Sequence, residues 1–507
     1  MRGFSAEKLP VKGSLSLLFV ALLLWLLPIR DAFQPGGDEG CELLKSFLFS
    51  SDFVLYREMW NDQPPLHTLI LSAVFRVVGP SLPAARVLAI GFGGLLLYSL
   101  MSVVWIRCGR CAALAAGAIL ATAPLLLNLS FSVMLEVPAF ATAMLAVWLL
   151  FRWLEERRPI WLVLSGVAMG CALQIKFTAA LVLPALASEV FVNGATGVRR
   201  ERFVDTIRPM LVWLGALAFT FVAIAAISGE SLGTMWISHT HVVSTARQET
   251  TGPSGPRLNL SDLTDHLETV APAVLGLLAI MWRRRWRQMC FALVFLATSL
   301  TTHLLHRPYW YYYYLHFIIP MAWLGGYGLS ESVCAVRAAI GSGIAKARPM
   351  VLWFGWLGIC AGVILVLDGG PRARRELDSL AILPRVGSDA VLRKLCENAR
   401  ATRWLYSDEY VYAFLARLRV PPELVVLPLK RFWSGQLDGE RVLSCVRRYQ
   451  PEQVLLSGGS KMSPEWERTD GTNYSVVCED GPYRLFVAKR IATSAVERGE
   501  RSKLTEH

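Results

Sequence analysis

Acidic side chains are concentrated in one stretch of the sequence, between residues 31 and 85. This stretch holds seven carboxylates, and the last of them is followed directly by Gln63-Pro64-Pro65-Leu66. The seven are Asp31, Asp38, Glu39, Glu42, Asp52, Glu58 and Asp62. Any one of them taken alone indicates only a hydrated loop, because acidic residues are mostly exposed. As a group they could supply a general base, which must reach the proton that it removes.

Isolated cations stand beside apolar or aromatic segments elsewhere in the chain. Lys176 interrupts a long apolar stretch, and Arg307 precedes Pro308-Tyr309-Trp310 and four further tyrosines. A cation near a membrane surface with no partner nearby in sequence is a candidate functional residue. Combined with the carboxylates, such cations predict a reaction in which one substrate is deprotonated and the other departs as an anion. A sugar leaving a lipid phosphate fits this description, because its leaving group needs cationic stabilisation and no strong general acid.

The elements that would position these residues are membrane helices. Hydrophobic residues make up 54% of the 507 residues and charged residues 18%, which is below the share of charged residues in soluble proteins. Runs such as 14–29, 87–106 and 351–367 approach the roughly 20 apolar residues that cross a bilayer. The net charge of +12 comes largely from basic blocks between apolar runs, which indicates the positive-inside pattern and disfavours a nucleic-acid partner.

The basic blocks fix the number of crossings, because neighbouring cytoplasmic blocks must be separated by an even number of spans. As one helix, the stretch 160–192 would be about 50 Å long and would place Arg199 on the wrong side. We therefore predict two short spans with a turn at Gln174-Ile175-Lys176. The fold class predicted is mainly α, a polytopic membrane protein of about 11 transmembrane helices. The outer loops are then 31–85, 129–135, 174–177, 229–267 and 306–310.

The chain after the last span reads as a soluble domain. We predict a transmembrane domain over 1–368, an outer α/β domain over 369–490 and a disordered tail over 491–507. Five short β-rich runs alternate with helical stretches at 409–419 and 438–449. The runs are Trp404–Tyr406, Leu424–Leu427, Gln453–Leu456, Tyr474–Cys478 and Tyr483–Ala488.

The order of several short motifs resembles that of the membrane glycosyltransferases with the C-type fold. These are bacterial relatives of protein O-mannosyltransferases and of the aminoarabinose transferase that modifies lipid A. Each motif is short, and their order and shared sidedness carry the resemblance. The motifs are Asp38-Glu39, Asp62-Gln63-Pro64-Pro65-Leu66, Met134–Pro138, Lys176–Ala179, Leu183-Pro184, Tyr314–Pro320, Leu324–Gly326, Arg419–Leu424 and Gly435–Asp438.

The resemblance implies roles for individual residues. Asp38, paired with Glu39, matches the catalytic base, and Asp62 matches the second acidic position. It also implies donor-phosphate contacts and positioning residues for donor or acceptor: Lys176, Arg307 and Tyr309 for the phosphate, and Glu136, Pro64 and Pro65 for positioning. Glu136 stands where many relatives have Asp. Gln63 replaces the Lys of the aminoarabinose enzymes, so lipid A is not implied as the acceptor.

The resemblance implies an inverting glycosyltransferase of the bacterial plasma membrane. It would move a sugar from a polyprenyl-phosphate carrier to a protein, lipid or glycan acceptor on the non-cytoplasmic face. The alternative is a polytopic transporter or a flippase for lipid-linked sugars, which would require charges in mid-span and two related halves. A structural protein that binds partners through its outer domain is a third reading.

No cofactor is expected, with a divalent metal ion as the alternative. His239 and His241 could form a metal pair, but residues at i and i+2 in a loop with Gly and Pro favour the unliganded reading. The loop 229–267 that holds them is either a lid over the donor or a linker. The tyrosine run 311–314 suits a membrane-interface belt better than a platform for stacking a sugar.

Overall fold

The computed structural model describes most of the chain. The described residues are 10–193, 201–228, 233, 235–236, 257–259, 261, 264–306, 308–343, 347–428, 431–432, 435–460, 462 and 464–491. Among the sequence predictions, Arg307, the pair His239 and His241, and the tail from residue 492 lie outside these residues. Most of the predicted loop 229–267 also lies outside them.

Most of the described residues are helical, so the predicted mainly α class is confirmed. The apolar part of the chain forms helices at Pro10–Leu26, Leu82–Cys108, Arg110–Ala121, Pro124–Phe131, Glu136–Glu156, Pro159–Ile175, Leu183–Asn193, Glu201–Ile227, Leu267–Arg283, Cys290–Leu305, Leu315–Ser342 and Pro349–Ile364, followed by Gly370–Ala381. Several begin with proline, whose missing N–H costs nothing in a first turn. Short 3₁₀ turns occupy Phe177–Val182 and Tyr311–Tyr314.

Several helices have the length and composition of membrane spans, and the chain is a multi-pass membrane protein. Among the described residues, four helices are long and apolar enough to cross a bilayer: Leu82–Cys108, Glu136–Glu156, Ile207–Ile227 and Pro349–Ala381. The pair Arg110–Ala121 and Pro124–Phe131, bent by 65°, would make a fifth. Five further apolar helices among the described residues are shorter, between 10 and 17 residues. The figure of about 11 crossings therefore stays a prediction.

The predicted break at Lys176 is confirmed. The helix Pro159–Ile175 ends directly before Lys176, whose backbone is extended with φ −155° and ψ 132°. The 3₁₀ turn Phe177–Val182 and the helix Leu183–Asn193 follow. Because Lys176 lies in this break, its side chain does not follow the helical direction of its neighbours.

Close helix packing fixes the tyrosine turn 311–314. The helices Leu267–Arg283 and Leu315–Ser342 approach at two glycines, and a Cβ on Gly328 would lie 2.5 Å from the backbone nitrogen of Gly276. Small residues allow membrane helices to approach closely. The turn is therefore held at the start of a firmly packed helix.

The C-terminal part contains a four-stranded sheet, which confirms an α/β domain there. The strands are β1 Leu405–Ser407, β2 Gln453–Leu456, β3 Tyr474–Asp480 and β4 Tyr483–Ala488, in the order β1-β2-β4-β3. β1 runs parallel to β2, and the other neighbouring pairs are antiparallel. The helices of this part are Ala390–Glu397, Tyr410–Leu415, Gly439–Tyr449 and Glu465–Arg468.

The predicted strand Leu424–Leu427 is wrong. Pro422–Leu424 forms a 3₁₀ turn, and the four residues 424–427 are buried without joining the sheet. Leu427 N–H donates to the hydroxyl of Tyr410 at 2.8 Å rather than to a strand. The apolar run thus reflects burial by tertiary packing, which a strand pattern alone cannot distinguish.

The chain divides into two compact units that are discontinuous in sequence. The first, the helical unit, contains the described residues of 1–27, 86–227 and 250–381. The second, the loop-and-sheet unit, contains those of 28–85, 228–249 and 382–507. The carboxylate-rich stretch, with its helices Asp38–Ser50 and Leu66–Val78, therefore belongs to the same unit as the C-terminal sheet. The sequence prediction instead divides the chain once, at residue 368, and assigns this stretch to the transmembrane domain.

Candidate active site

A buried ion pair lies in the helical unit. Lys176 Nζ contacts Glu136 Oε1, and these side chains are 10% and 1% exposed. Glu136 is the first residue of the helix Glu136–Glu156, where the helix dipole favours a negative charge. The Lys176 ammonium also lies over two aromatic rings, 4.8 Å from the centroid of Tyr312 and 5.6 Å from that of Tyr313. The pair thus joins residues that are 40 positions apart in sequence.

Two buried histidines lie beside this tyrosine turn. His303 Nε2 and His316 Nδ1 are 2.9 Å apart, and each ring stacks on Tyr313. Tyr309, a predicted phosphate contact, is buried and meets the His303 ring edge-on at 5.4 Å between centroids. The aromatic residues of this turn therefore pack against imidazoles and Lys176, which a membrane-interface belt alone does not require.

Asp38 is exposed and begins the helix Asp38–Ser50 of the loop-and-sheet unit. A carboxylate at this position is stabilised by the helix dipole while it stays accessible to a substrate. Its predicted partner Glu39 is fully buried, so the two neighbours differ in access to solvent. Glu39 therefore fits a structural role better than a direct catalytic one.

Asp62 is buried in a tight turn that ends at two prolines. Its Oδ2 accepts a hydrogen bond from Gln63 Nε2 at 3.0 Å. Asn61 Nδ2 donates to the Gln63 carbonyl oxygen at 2.7 Å and closes the turn. Pro64 and Pro65 are also buried and lead into the helix Leu66–Val78. The prolines thus act in this structure by shaping the turn that carries Asp62.

A buried polar network joins the helix of Asp38 to the turn of Asp62. Lys45 Nζ donates to Glu42 Oε1 at 2.8 Å and to Asn61 Oδ1 at 3.2 Å. His67 Nδ1 lies 3.5 Å from the second oxygen of Glu42. All four side chains are nearly inaccessible to solvent. From the sequence, Glu42 is visible only as one of the loop carboxylates, and the other three residues were not predicted. The sequence signal for this network is that Glu42 and Lys45 stand three residues apart on an otherwise apolar helix face, the spacing of an ion pair.

This network makes the unit sensitive to acid. Burial raises the pKa of Glu42, but Lys45 and His67 outweigh it and bring the pKa from an ordinary 4.5 to about 2. A carboxyl with a lowered folded-state pKa adds stability above its unfolded pKa and loses that stability as the pH falls toward the folded value. We expect the loop-and-sheet unit to lose about 3 kcal/mol between about pH 4.5 and pH 2.

Thermal unfolding followed at several pH values measures this loss. The melting temperature of the wild type should fall more steeply over the window than that of Glu42→Gln, which cannot ionise at this position. Equal slopes for the two proteins would contradict the assignment of acid lability to Glu42.

A second cluster in the helical unit was not found from the sequence. His266 Nδ1 lies 3.2 Å from Glu268 Oε1, and the imidazole stacks on Tyr314 at 4.0 Å between centroids. The Tyr314 hydroxyl lies 3.1 Å from Thr269 Oγ1. Arg372 Nε donates to Asp368 at 2.8 Å and lies 3.9 Å from Glu268 Oε2. These contacts fix the helix Gly370–Ala381 to the start of Leu267–Arg283.

Within the helical unit, the structure brings Glu136 and Lys176 together beside the tyrosine turn. Within the loop-and-sheet unit, it links the segments that carry Asp38 and Asp62. Arg307 lies outside the described residues, so its predicted contact stays a prediction. Among the residues that the structure describes, no group of three or more His, Cys, Asp or Glu side chains could hold a metal ion. The use of a metal stays untested.

Comparison with known proteins supports the resemblance seen in the motifs. Residues 62–227 match the family model described as dolichyl-phosphate-mannose-protein mannosyltransferase, about a third of the chain. No curated protein matches this sequence significantly.

Solved structures match over most of the chain. The ArnT of Cupriavidus metallidurans bound to undecaprenyl phosphate has 16% identity and a TM-score of 0.56, over 93% of this chain and 97% of its own. Its apo state gives 17% identity and a TM-score of 0.57, with the same coverage. The Archaeoglobus fulgidus oligosaccharyltransferase tethered to an acceptor peptide has 13% identity and a TM-score of 0.55, over 91% of this chain and 70% of its own. At these identities the likeness concerns the fold, which confirms the expected fold class.

Proposed function

From the C-type glycosyltransferase fold that this chain has, we propose that it is an inverting glycosyltransferase. It moves a sugar from a polyprenyl-phosphate carrier to an acceptor hydroxyl or amine on the non-cytoplasmic face of the bacterial plasma membrane. The match of residues 62–227 to a family of lipid-phosphate mannosyltransferases supports the donor class. The sugar is a hexose or a pentose, and the acceptor is a protein, lipid or glycan.

The buried Lys176 carries the proposal. An ammonium that is shielded from water attracts an anion far more strongly than an exposed one. This ammonium contacts Glu136, and the aromatic rings of Tyr312 and Tyr313 face the same charge. When no donor is bound, Glu136 balances the charge of Lys176, so the empty site holds no uncompensated charge. When a donor is bound, the same ammonium can contact its phosphate at the end of a membrane helix.

The proposed chemistry needs one carboxylate and one cation. Asp38 removes the proton from the acceptor hydroxyl or amine, and the freed electron pair attacks the anomeric carbon. The bond between that carbon and the phosphate oxygen breaks, and the polyprenyl phosphate leaves with a second negative charge. Lys176 stabilises this charge as it develops. Because one displacement is made and no sugar–enzyme bond forms, the anomeric configuration inverts.

Transfer in membranes tests this function. Membranes that contain the chain are incubated with a polyprenyl-phosphate sugar, and the free polyprenyl phosphate is measured together with the glycosylated acceptor. We expect Lys176→Gln to release polyprenyl phosphate on the order of 10²- to 10³-fold more slowly, the usual effect of removing one charge-stabilising donor.

Two further variants test whether the slower release is caused by the loss of Lys176 itself. The double variant Glu136→Gln/Lys176→Gln removes both charges of the buried pair, so it should fold and stay inactive. The control Lys394→Gln removes an exposed lysine that pairs with Glu397 at 2.7 Å and should keep full activity. Full activity in the folded double variant would remove Lys176 from the mechanism.

A further inference from the structure

Arg431 of the C-terminal part supports the turn that carries Asp62. Its guanidinium lies 4.8 Å from the ring centroid of Trp60, two residues before Asp62. Its Nη1 donates to the carbonyl oxygens of Val426 at 2.6 Å and of Glu423 at 3.1 Å. Burial lowers the pKa of Arg431 to about 10, so the group stays charged at neutral pH. A desolvated cation on an aromatic face is a strong contact of its kind.

Glu409 makes the equivalent contact before Asp38. Its Oε2 accepts a hydrogen bond of 2.6 Å from the backbone N–H of Gly36, two residues before Asp38. Gly36 has φ +73°, a conformation that glycine adopts without strain, so the backbone turns sharply at this point. The carboxylate therefore fixes the chain where it enters the helix of Asp38.

The helix Asp38–Ser50 lies directly against the helix Tyr410–Leu415, which follows Glu409. A Cβ on Gly40 would lie 2.6 Å from the backbone nitrogen of Val411, which leaves no room for a side chain. Phe47 and Phe75 both contact Phe414 of that neighbouring helix. Burial raises the pKa of Tyr410, and Asp38 is among the charges that raise it further, which indicates that the two groups are close.

We propose that the C-terminal part of this chain is a positioning part of the catalytic machinery, in which Glu409 places Asp38 and Arg431 places Asp62. This inference rests on the proposed function for the roles of the two carboxylates. The alternative reading is a C-terminal domain that only binds partners. It does not require that charged side chains of this part contact the residues two positions before Asp38 and Asp62. By contrast, the ion pair of Arg484 with Glu467 at 2.9 Å joins two residues of the C-terminal part to each other.

The test compares three variants of Glu409 and Arg431 with two matched controls. Glu409→Ala removes the acceptor of the Gly36 N–H, whereas Glu409→Gln keeps an oxygen in its place. Arg431→Gln removes the charge over Trp60. The matched controls are Glu467→Ala and Arg484→Gln, because Arg484 also lies over an aromatic ring, Phe486, at 5.7 Å.

We expect Glu409→Ala and Arg431→Gln to lower kcat by about ten- to a hundredfold with the donor KM within about twofold of the wild type. Glu409→Gln should recover most of the rate, and both controls should match the wild type. A loss of kcat that spares KM and is rescued by Gln is not expected of a purely structural contact.

Hydrogen exchange gives a readout that does not depend on catalysis. Amides of residues 34–40 should exchange faster in Glu409→Ala than in its control, and those of residues 60–63 faster in Arg431→Gln. Unchanged exchange would overturn the inference, as would faster exchange with wild-type kcat. Absence of any sugar transfer by the wild type would instead refute the proposed function, and the exchange data would still decide whether these residues hold the loop.

Discussion

Asp38→Asn should lower the rate of sugar transfer by two to four orders of magnitude, the usual contribution of a positioned general base. The amide keeps nearly the same shape and still suits the first turn of a helix. Asp38 is exposed in the structure, so the substitution places no new polar group in the core. The variant should therefore fold, insert and bind the donor as the wild type does. The assay follows the loss of sugar from the carrier and its appearance on the acceptor.

Asp31→Asn is the matched control, since Asp31 is an exposed carboxylate of the same segment. It pairs at the surface with Arg385 at 3.2 Å, a contact that contributes little. Its rate should equal that of the wild type. Full transfer by Asp38→Asn would end the proposed mechanism, whereas equal losses in both variants would point to the charge of the segment as a whole.

Lys45→Met should destabilise the loop-and-sheet unit by roughly 3–5 kcal/mol, because it leaves the buried carboxylate of Glu42 without its cation. Methionine keeps the length and apolar stem of lysine, so little packing volume is lost. The double variant Glu42→Gln/Lys45→Met removes both charges and should recover most of the stability. Thermal unfolding of the purified proteins measures both effects.

The chain contains a close control for this experiment. Lys394 and Glu397 form another pair three residues apart at 2.7 Å, but their side chains are 41% and 49% exposed. Lys394→Met should therefore change stability by less than about 1 kcal/mol. An effect of Lys45→Met as small as that of Lys394→Met would show that the buried network does not hold the unit together.

The elements of this fold follow from local patterns in the sequence. Apolar runs bounded by prolines and arginines predict helices such as Glu136–Glu156, and length against bilayer thickness predicts the break at Lys176. Both signals act over a few turns of chain, so they can be read without knowledge of the tertiary structure. The carboxylates of the outer loop are also visible, because seven of them fall within one short segment.

The partners of these residues could not be predicted. Glu136 meets Lys176 across 40 residues, and Lys45 meets Asn61 across 16. Such contacts depend on how helices pack, and one sequence contains no signal for them. The run Leu424–Leu427 was mistaken for a strand for the same reason, because its burial comes from the surrounding C-terminal structure. The contacts of Glu409 and Arg431 with the acidic segment likewise appear only in the folded chain.

The most direct measurement is the fate of the anomeric carbon in a reconstituted reaction. The purified chain in lipid nanodiscs is given a polyprenyl-phosphate sugar of known anomeric configuration, and the product is examined by NMR. We expect transfer to the acceptor with inverted configuration, and a loss of this transfer in Asp38→Asn. Retention of configuration would contradict the single displacement. In sealed vesicles, movement of intact glycolipid across the bilayer with no transfer would contradict the enzyme and favour a flippase.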